Sequence, residues 1–439
     1  MKRFVCAHAT HPQWPEAVRR VLAQLRAQRR AGAPTQAPEA GGAVADGGAA
    51  VTPLALLYVT DHHADALPEI LDQLADALPQ VTDWVGAVTV GICASGTEFI
   101  DEPGIAVMLC DLAPGRYRVF SGVAPLAATQ GTDGFVPQTA LVHADPATPD
   151  LTELVQELAE RTLSHYLFGG LVASRAGSLQ IARSSRGGIG GHGREAASGW
   201  FRGGFSGVAF GPDVGIVSRV TQGVRPVAPA RRVTAATGQR VEVLDGMPAL
   251  DVLLGDLGLS LQDLPAVVAR LRETLVGLQR PATADPARAT PRVGRVPLRL
   301  GDDVLVRHLV GLDPGRRAFI VADEVPPGTV LTPCERHREA ARADLVRICA
   351  EIRDELAGED GTALADPVQR IAGAVYVSCN GRGGPHFGAP HAELAIIRQA
   401  LGDVPLVGFF AAGEIAYHRL YGYTGVLTVF VADAAPASA

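Results

Sequence analysis

The sequence predicts an α/β to α+β fold made of two related halves, with mixed sheets flanked by helices. Three observations lead to that reading. Strand-like and helix-like segments interleave along most of the 439 residues. Apolar residues make up 47% of the chain and charged residues 19%, enough to fill more than one core at this length. A strand–loop–helix–strand pattern near the start also recurs near the end, the mark of an internal duplication.

The elements follow in order. "PEAVRRVLAQLRAQRR" (15–30) has helical spacing, with Pro15 suited to the first helical position. An Ala/Gly/Pro-rich stretch follows, so residues 1–50 read as an N-terminal helix and a flexible linker. A first domain is expected over 51–241 and a second over 242–432, with a short tail at 433–439. In the first, "LALLYVTD" (54–61) is a buried strand and "ALPEILDQLADALPQV" (66–81) a helix. "WVGAVTVGICASG" (84–96), "GIAVMLCDL" and "RYRVFSGV" are further strands, and "DLTELVQELAERTL" (150–163) is helical. "FSGVAFG" and "VGIVSRVTQG" suggest antiparallel strands. The proline-dense "RPATADPARATPRVGR" (280–295) is a domain boundary or a long surface loop. Beyond it come two strands and an amphipathic helix, "EAARADLVRICAEIRDEL" (339–356). "AGAVYVSCN" (372–380), "HAELAIIRQAL" and "VPLVGFF" form a strand–helix–strand unit, and "GVLTVFVAD" is the last strand.

The duplication aligns "VGICASGTE" (90–98) with "VGFFAAGEI" (407–415), pairing Gly91 with Gly408, Ala94 with Ala411 and Gly96 with Gly413. Spacing agrees upstream: Thr60 precedes Gly91 by 31 residues, and Ser378 precedes Gly408 by 30. Ligands of such sheets gather beyond the carboxyl ends of parallel strands. That rim would hold Asp61, His62 and Glu98 from the first half. From the second it would hold Cys379, Asn380, Arg382, Gly413 and Glu414.

Composition removes several function classes. The net charge is −7, with no basic patch interleaved with aromatics, so no nucleic-acid partner is expected. Lys2 is the only lysine, which leaves no interior Schiff-base lysine and no G-K-[ST] phosphate loop. The six cysteines are scattered without a C-x-x-C pair, so neither a disulfide framework nor a closed zinc site is expected. No run approaches the ~18 apolar residues of a membrane helix, and no secretory h-region is present. The expectation is a soluble, cytoplasmic protein without a membrane partner.

"SCNGRGGPHFG" (378–388), followed by "PLVGFFAAGEI" (405–415), resembles the C-terminal half of FIST-domain proteins. Their usual pattern is a strand ending in Cys-x-Gly-Arg-Gly, then Gly-Phe-[Phe/Tyr]-x-x-Gly-Glu-Ile. "VTQGVRPVAPARRVTAATGQRVEVLDGMPALDVL" (220–253) is similar to the family's central segment, and "YLFGGLVAS" (166–174) to the Gly-Gly segment of its N-terminal half. The resemblance spans roughly residues 50–432. It implies a sensory module that binds small ligands, amino acids among them. The family occurs alone, fused to bacterial signalling domains and in F-box proteins, and some members are haem-dependent gas sensors. One departure stands out: the N-terminal copy usually has Gly-Glu, whereas here Gly96 is followed by Thr97 and then Glu98.

Individual residues leave alternatives open. Glu414 is a polar residue at a strand end, or it faces a pocket. Arg382 is its natural opposite charge, since a planar fork suits a carboxylate. The two form a structural pair or the two poles of a site for a zwitterion such as an amino acid. Cys379 is a buried structural thiol, or a nucleophile with His386 or His391 in a hydrolase or transferase. His386, His391, His418 and the His62-His63 pair lack zinc spacing, so no metal is expected; haem on one of the twelve histidines is the one cofactor alternative. "GGIGGHG" (187–193) lacks the strand, helix and acidic residue of a dinucleotide loop. It reads as a mobile hairpin loop, or, with "GWFRGGF", as a flexible lid over the pocket across 187–207. The leading reading is a sensory protein that binds a small polar metabolite and signals through a separate protein partner. A cysteine-dependent enzyme, a haem-binding sensor and a protein–protein adaptor are the alternatives.

Overall fold

The computed structural model describes residues 3–31, 53–122, 124–126, 134–184, 199–280, 304–357, 367–384 and 386–432. The Ala/Gly/Pro-rich stretch after residue 31 and the "GGIGGHG" segment of the expected lid lie outside the described residues.

Two sheets pack face to face, with helices on their outer faces. The first sheet has six strands in the order Val5–Thr10 (β1), Gly104–Cys110 (β6), Leu54–Thr60 (β2), Asp83–Thr89 (β3), Leu179–Ser184 (β10) and Trp200–Arg202 (β11). Helices Trp14–Ala31 (α1) and Leu67–Ala77 (α2) cover its outer face. There Val18, Val21 and Leu25 meet Leu57, Val59 and Val107, together with Ile70, Leu71 and Leu74. All seven residues of β2 are buried, as expected of a strand covered on both faces. The sequence reading places no strand before α1; β1 is there, antiparallel to β6.

The second sheet draws on both halves. Its path is Gly215–Gln222 (β13), Thr424–Val431 (β25), Ile371–Cys379 (β22), Leu406–Tyr417 (β23), Leu167–Val172 (β9), Thr139–Ala144 (β8), Phe205–Phe210 (β12) and Tyr117–Ser121 (β7). Gly91–Ala94 (β4), Thr97–Ile100 (β5) and Arg419–Tyr421 (β24) attach beside β23. The inner faces of the two sheets share one core: Tyr58 lies against Phe409 and Phe4 against Phe430, with ring centroids 5.2 and 5.4 Å apart. Outside, Arg338–Ala357 (α6) and Ala392–Leu401 (α7) bury Leu345, Ile348, Ile352, Leu394 and Ile397 on Tyr376, Phe410 and Leu427. Leu151–Glu160 (α3) covers another part of this sheet.

A small barrel completes the molecule. It runs through Val330–Arg336 (β21), Arg231–Thr237 (β15), Arg240–Leu244 (β16), Ala318–Val321 (β20), Leu305–Asp313 (β19) and Thr274–Gln279 (β18). It closes because β21 pairs with both β15 and β18. Val224–Pro226 (β14) and Met247–Pro248 (β17) extend it, and Ala249–Asp256 (α4) and Leu264–Glu273 (α5) pack Leu250, Leu253, Val267 and Leu271 into the same core. β18 and β19 pair antiparallel within one barrel, and the proline-dense stretch expected as a boundary or long loop lies, after Arg280, outside the described residues.

The duplication is present, but its register differs from the sequence alignment. β2–α2–β3 and β22–α7–β23 are both strand–helix–strand units with parallel strands. Gly86 lies opposite Leu57 and Gly408 opposite Tyr376. A Cβ on either glycine would stand 1.7 Å from that partner's carbonyl oxygen. Gly86 is therefore the counterpart of Gly408, and Gly91 that of Gly413. The slip arises because glycines recur every five residues, at 86, 91 and 96 and again at 408 and 413. The counterpart of Glu414 is then Ile92, so Glu98 has a different role.

Candidate functional site

The loop after β22 begins at Asn380, and its Arg382 turns inward until it is 1% exposed. Its Nε donates to Glu393 Oε1 at 3.2 Å, and its Nη1 to the carbonyls of Tyr423 at 3.3 Å and Thr221 at 3.5 Å. The guanidinium also lies 5.3 Å from the Phe387 ring centroid. Glu393, in the first turn of α7, accepts from the Tyr376 hydroxyl at 2.5 Å and the Ser378 hydroxyl at 3.0 Å. A buried ion pair is tolerated when its remaining lone pairs are filled in this way.

Glu98 reaches this network from β5. Its Oε1 accepts from the amides of Glu393 and Leu394 at 3.1 and 3.2 Å, and its Oε2 from the Gly384 amide at 3.2 Å. It thus fills helix-start amides that His391, the residue before α7, does not cap. His391 Nδ1 instead accepts from the Glu98 amide at 2.9 Å. Burial and the neighbouring Glu393 raise the Glu98 pKa. The first half of the chain therefore fixes the Asn380–Gly384 loop of the second.

Glu414 owes its position to a β-bulge. From Ala411 to Glu414, three steps along β23 match two along β9, from Val172 to Gly170. Close approach there needs glycine, since a Cβ on Gly170 would lie 2.8 Å from the Ala411 Cβ. Glu414 is fully buried, and its Oε2 accepts from Thr424 N at 3.1 Å and Thr424 Oγ1 at 2.5 Å. Burial lifts its pKa to about 8, although Thr424, Arg382 and Cys379 pull it down. It is therefore mostly protonated at neutral pH. The counter-charge of Arg382 is Glu393, and Glu414, its carboxyl raised by burial, is a weak negative pole at pH 7. Among the described residues, Arg382 Nη2 and Glu414 Oε1 are buried without a hydrogen-bond partner.

Cys379 receives the amides of Gly381 and Tyr423, yet burial and then Glu414 push its thiol up to about 12. His391 is committed to Glu98, and the His386 ring packs edge-on against Phe387. This is the reverse of an activated nucleophile. Iodoacetamide at pH 7.5 should label Cys379 at least about a hundredfold more slowly in the folded protein than in urea, by peptide mass spectrometry. Comparable rates in the two states would show an activated thiol.

Asp61 and His62 join a different cluster. Arg175 holds the Asp61 carboxylate through Nη2 at 2.7 Å and Nε at 3.0 Å, and reaches Asp101 at 2.7 Å. His62 is exposed, 3.8 Å from the Asp61 carboxylate. Neither contact reaches the Arg382–Glu414 cluster. Gly413 is buried at the bulge, between Leu171 and the Tyr421 carbonyl.

On the solvent side of the same loop lies a cavity of about 450 Å³, lined by Ile100, Arg336, Asn380, Gly381, Gly383 and His386. Of the rim residues expected from sequence, Asn380 alone lines it. Ile100 and Arg336 are not among those expected, and no local pattern marks them: one comes from a short strand of the first half, the other from the end of a barrel strand. Among the described residues, no three His, Cys, Asp or Glu side chains group to hold a metal ion, and no helix is long and apolar enough to cross a membrane.

Comparison with known proteins agrees with this architecture. The FIST N domain model matches residues 53–247 and the FIST C domain model residues 249–417. Uncharacterized protein Rv0628c of Mycobacterium tuberculosis (strain H37Rv) is 29% identical over 361 residues, covering 79% of this chain and 83% of its own. Uncharacterized protein Mb0898c of Mycobacterium bovis is 29% identical over 385 residues, covering 85% and 88%. With two adjacent models matching most of its length, the chain belongs to the FIST family of sensory and signal-transduction domains.

Proposed function

We propose that the protein is a sensor that binds a small polar metabolite, amino acids being the first class to test, in the cavity above the Asn380–Gly384 loop, and signals through a separate protein. The observation that carries this reading is the placing of that loop. It stands at the carboxyl end of the parallel β22–β23 pair, where ligands of such sheets collect. A fully buried network anchors it from below, and the cavity above falls within the size range of small-molecule sites. Because Ile100 and Glu98 come from the first half and Arg336, Asn380 and His386 from the second, an occupant would bear on both halves at once.

A thermal-shift screen of polar metabolites, followed by calorimetry, tests it. At least one compound should raise the melting temperature saturably, and Asn380→Ala or His386→Ala should weaken it about tenfold, or about 1.4 kcal/mol. A screen without any saturable shift, or affinities unchanged in both variants, would remove the reading.

A further inference from the structure

The charges around this cavity are unbalanced, and that narrows what it can hold. Arg336, at the end of β21, and Arg338 and Arg342, in the first turns of α6, converge on the loop. Each donates to a loop carbonyl: Arg336 to Gly381, Arg338 Nε to His386 at 2.9 Å, and Arg342 Nη1 to Phe387 at 3.1 Å. None of the three has a carboxylate partner among the described residues. Of the nearby acids, Glu335 is paired with Arg225 and Arg270, Asp344 with Arg347, and Glu393 with Arg382, which leaves Glu339 of the first turn of α6 against three arginines. Glu414 adds little negative charge, because burial keeps it protonated at neutral pH.

The field left over registers on His386. Burial, followed by Arg336, Arg382, Arg338 and His337, pushes its pKa down to about 4. Arg336 is held for its task, with its guanidinium 5.0 Å from the Tyr423 ring centroid. The Tyr423 hydroxyl is itself 2.6 Å from His308 Nε2. Two other cavities hold paired arginines, although Arg3 also lines the first of them. A cavity of about 520 Å³ beside β1 and α7 contains Arg398, which is paired with Asp403. A groove of about 610 Å³ beside α6 contains Arg347, which is paired with Asp344 and Glu351.

We infer that the cavity above the Asn380–Gly384 loop binds the phosphate group of a small phosphorylated metabolite, with Arg336 as its principal charged contact and Asn380 and His386 beside it. This rests on the sensor reading and specifies its ligand. Arg336 lines the cavity and its fork matches phosphate oxygens bidentately, while Arg338 and Arg342, behind the same loop, add longer-range positive charge that favours a dianion over a single carboxylate. At about 450 Å³ the cavity has room for more than the anion alone, so the phosphate would be one end of a larger molecule.

Inorganic phosphate is the probe, titrated against the full chain at constant ionic strength beside succinate, glycine and chloride. Phosphate should raise the melting temperature saturably and more than the other three. Arg336→Gln and, separately, His386→Asn should each weaken it about tenfold, while Arg19→Gln, on the exposed face of α1, leaves it unchanged. Phosphate acting no better than chloride, or weakening equally in Arg19→Gln and Arg336→Gln, overturns the inference. If phosphate fails but another metabolite binds with sensitivity to Asn380→Ala and His386→Ala, the phosphate assignment falls and the sensor reading stands. If nothing binds, both fall.

Discussion

Replacing Arg382 with methionine will cost about 3–5 kcal/mol of folding stability, because it strands the Glu393 carboxylate in the interior. Both side chains are essentially inaccessible, at 1% and 0% exposure, so water cannot replace the lost partner. The hydroxyls of Tyr376 and Ser378 still donate to Glu393 but bring no charge. Methionine is close to the arginine stem in volume, so the loss comes from the unpaired charge more than from a void. The second variant decides the cause. In Arg382→Met combined with Glu393→Gln the charge is gone, while the new amide carbonyl still accepts from the two hydroxyls, so most of the stability should return. Urea unfolding at pH 7 measures both. A loss below about 1 kcal/mol in the single variant, or no recovery in the double, would show that the pair does not hold the loop.

That pair also marks the limit of what the sequence can show. Local signals serve well: the buried runs of β2 and of β22 up to Ser378, the amphipathic α6 and the strand–helix–strand echo all appear where periodicity puts them. Arg382 stands out in the sequence as a charge at a strand end, and the nearest conspicuous carboxylate, Glu414, offers itself as the partner. The partner in the structure is Glu393, which precedes Ile397 and Leu401 by four and eight residues and so lies on the buried stripe of α7. A charge on an apolar stripe is a readable signal that it meets a buried opposite charge.

Other misses have different causes. Glycines at a constant five-residue interval let the alignment slip by one interval without losing its matches. Barrel closure depends on β21 meeting β18, a pairing across more than fifty residues that no local pattern encodes. The cavity wall joins Ile100 to Arg336, which come from different sheets. The bulge that re-aims Glu414 is equally hidden, because it is set by the strand beside it, through Gly170.

Glu414 carries the second large effect, and its sign follows from linkage. Its folded pKa, about 8, lies above the ordinary carboxyl value of 4.5. Below about pH 4.5 the group is protonated folded and unfolded, so it costs nothing. Between about 4.5 and 8 the unfolded chain releases the proton and the folded protein keeps it, so stability falls by about 1.4 kcal/mol per pH unit. Above about pH 8 the loss is complete, at about 4–5 kcal/mol. Glu414→Gln keeps a carbonyl acceptor for Thr424 and has no proton to lose. The variant should match the wild type near pH 5 and be more stable by several kcal/mol at pH 9. Histidines do not confuse the comparison: His143 and His386, pushed down to about 3 and about 4, destabilise only as pH falls below their unfolded value near 6.5. Cys379, pushed up to about 12 in the fold, loses its proton near pH 9 only in the unfolded chain, and both it and Glu98 are common to the two proteins. Urea unfolding at pH 5, 7 and 9 should therefore give a stability difference that grows with pH. A difference that stays constant across the three would mean that Glu414 is ionised throughout. Arg382 would then face a second charge at neutral pH, and the excess of positive charge around the loop would be one unit smaller.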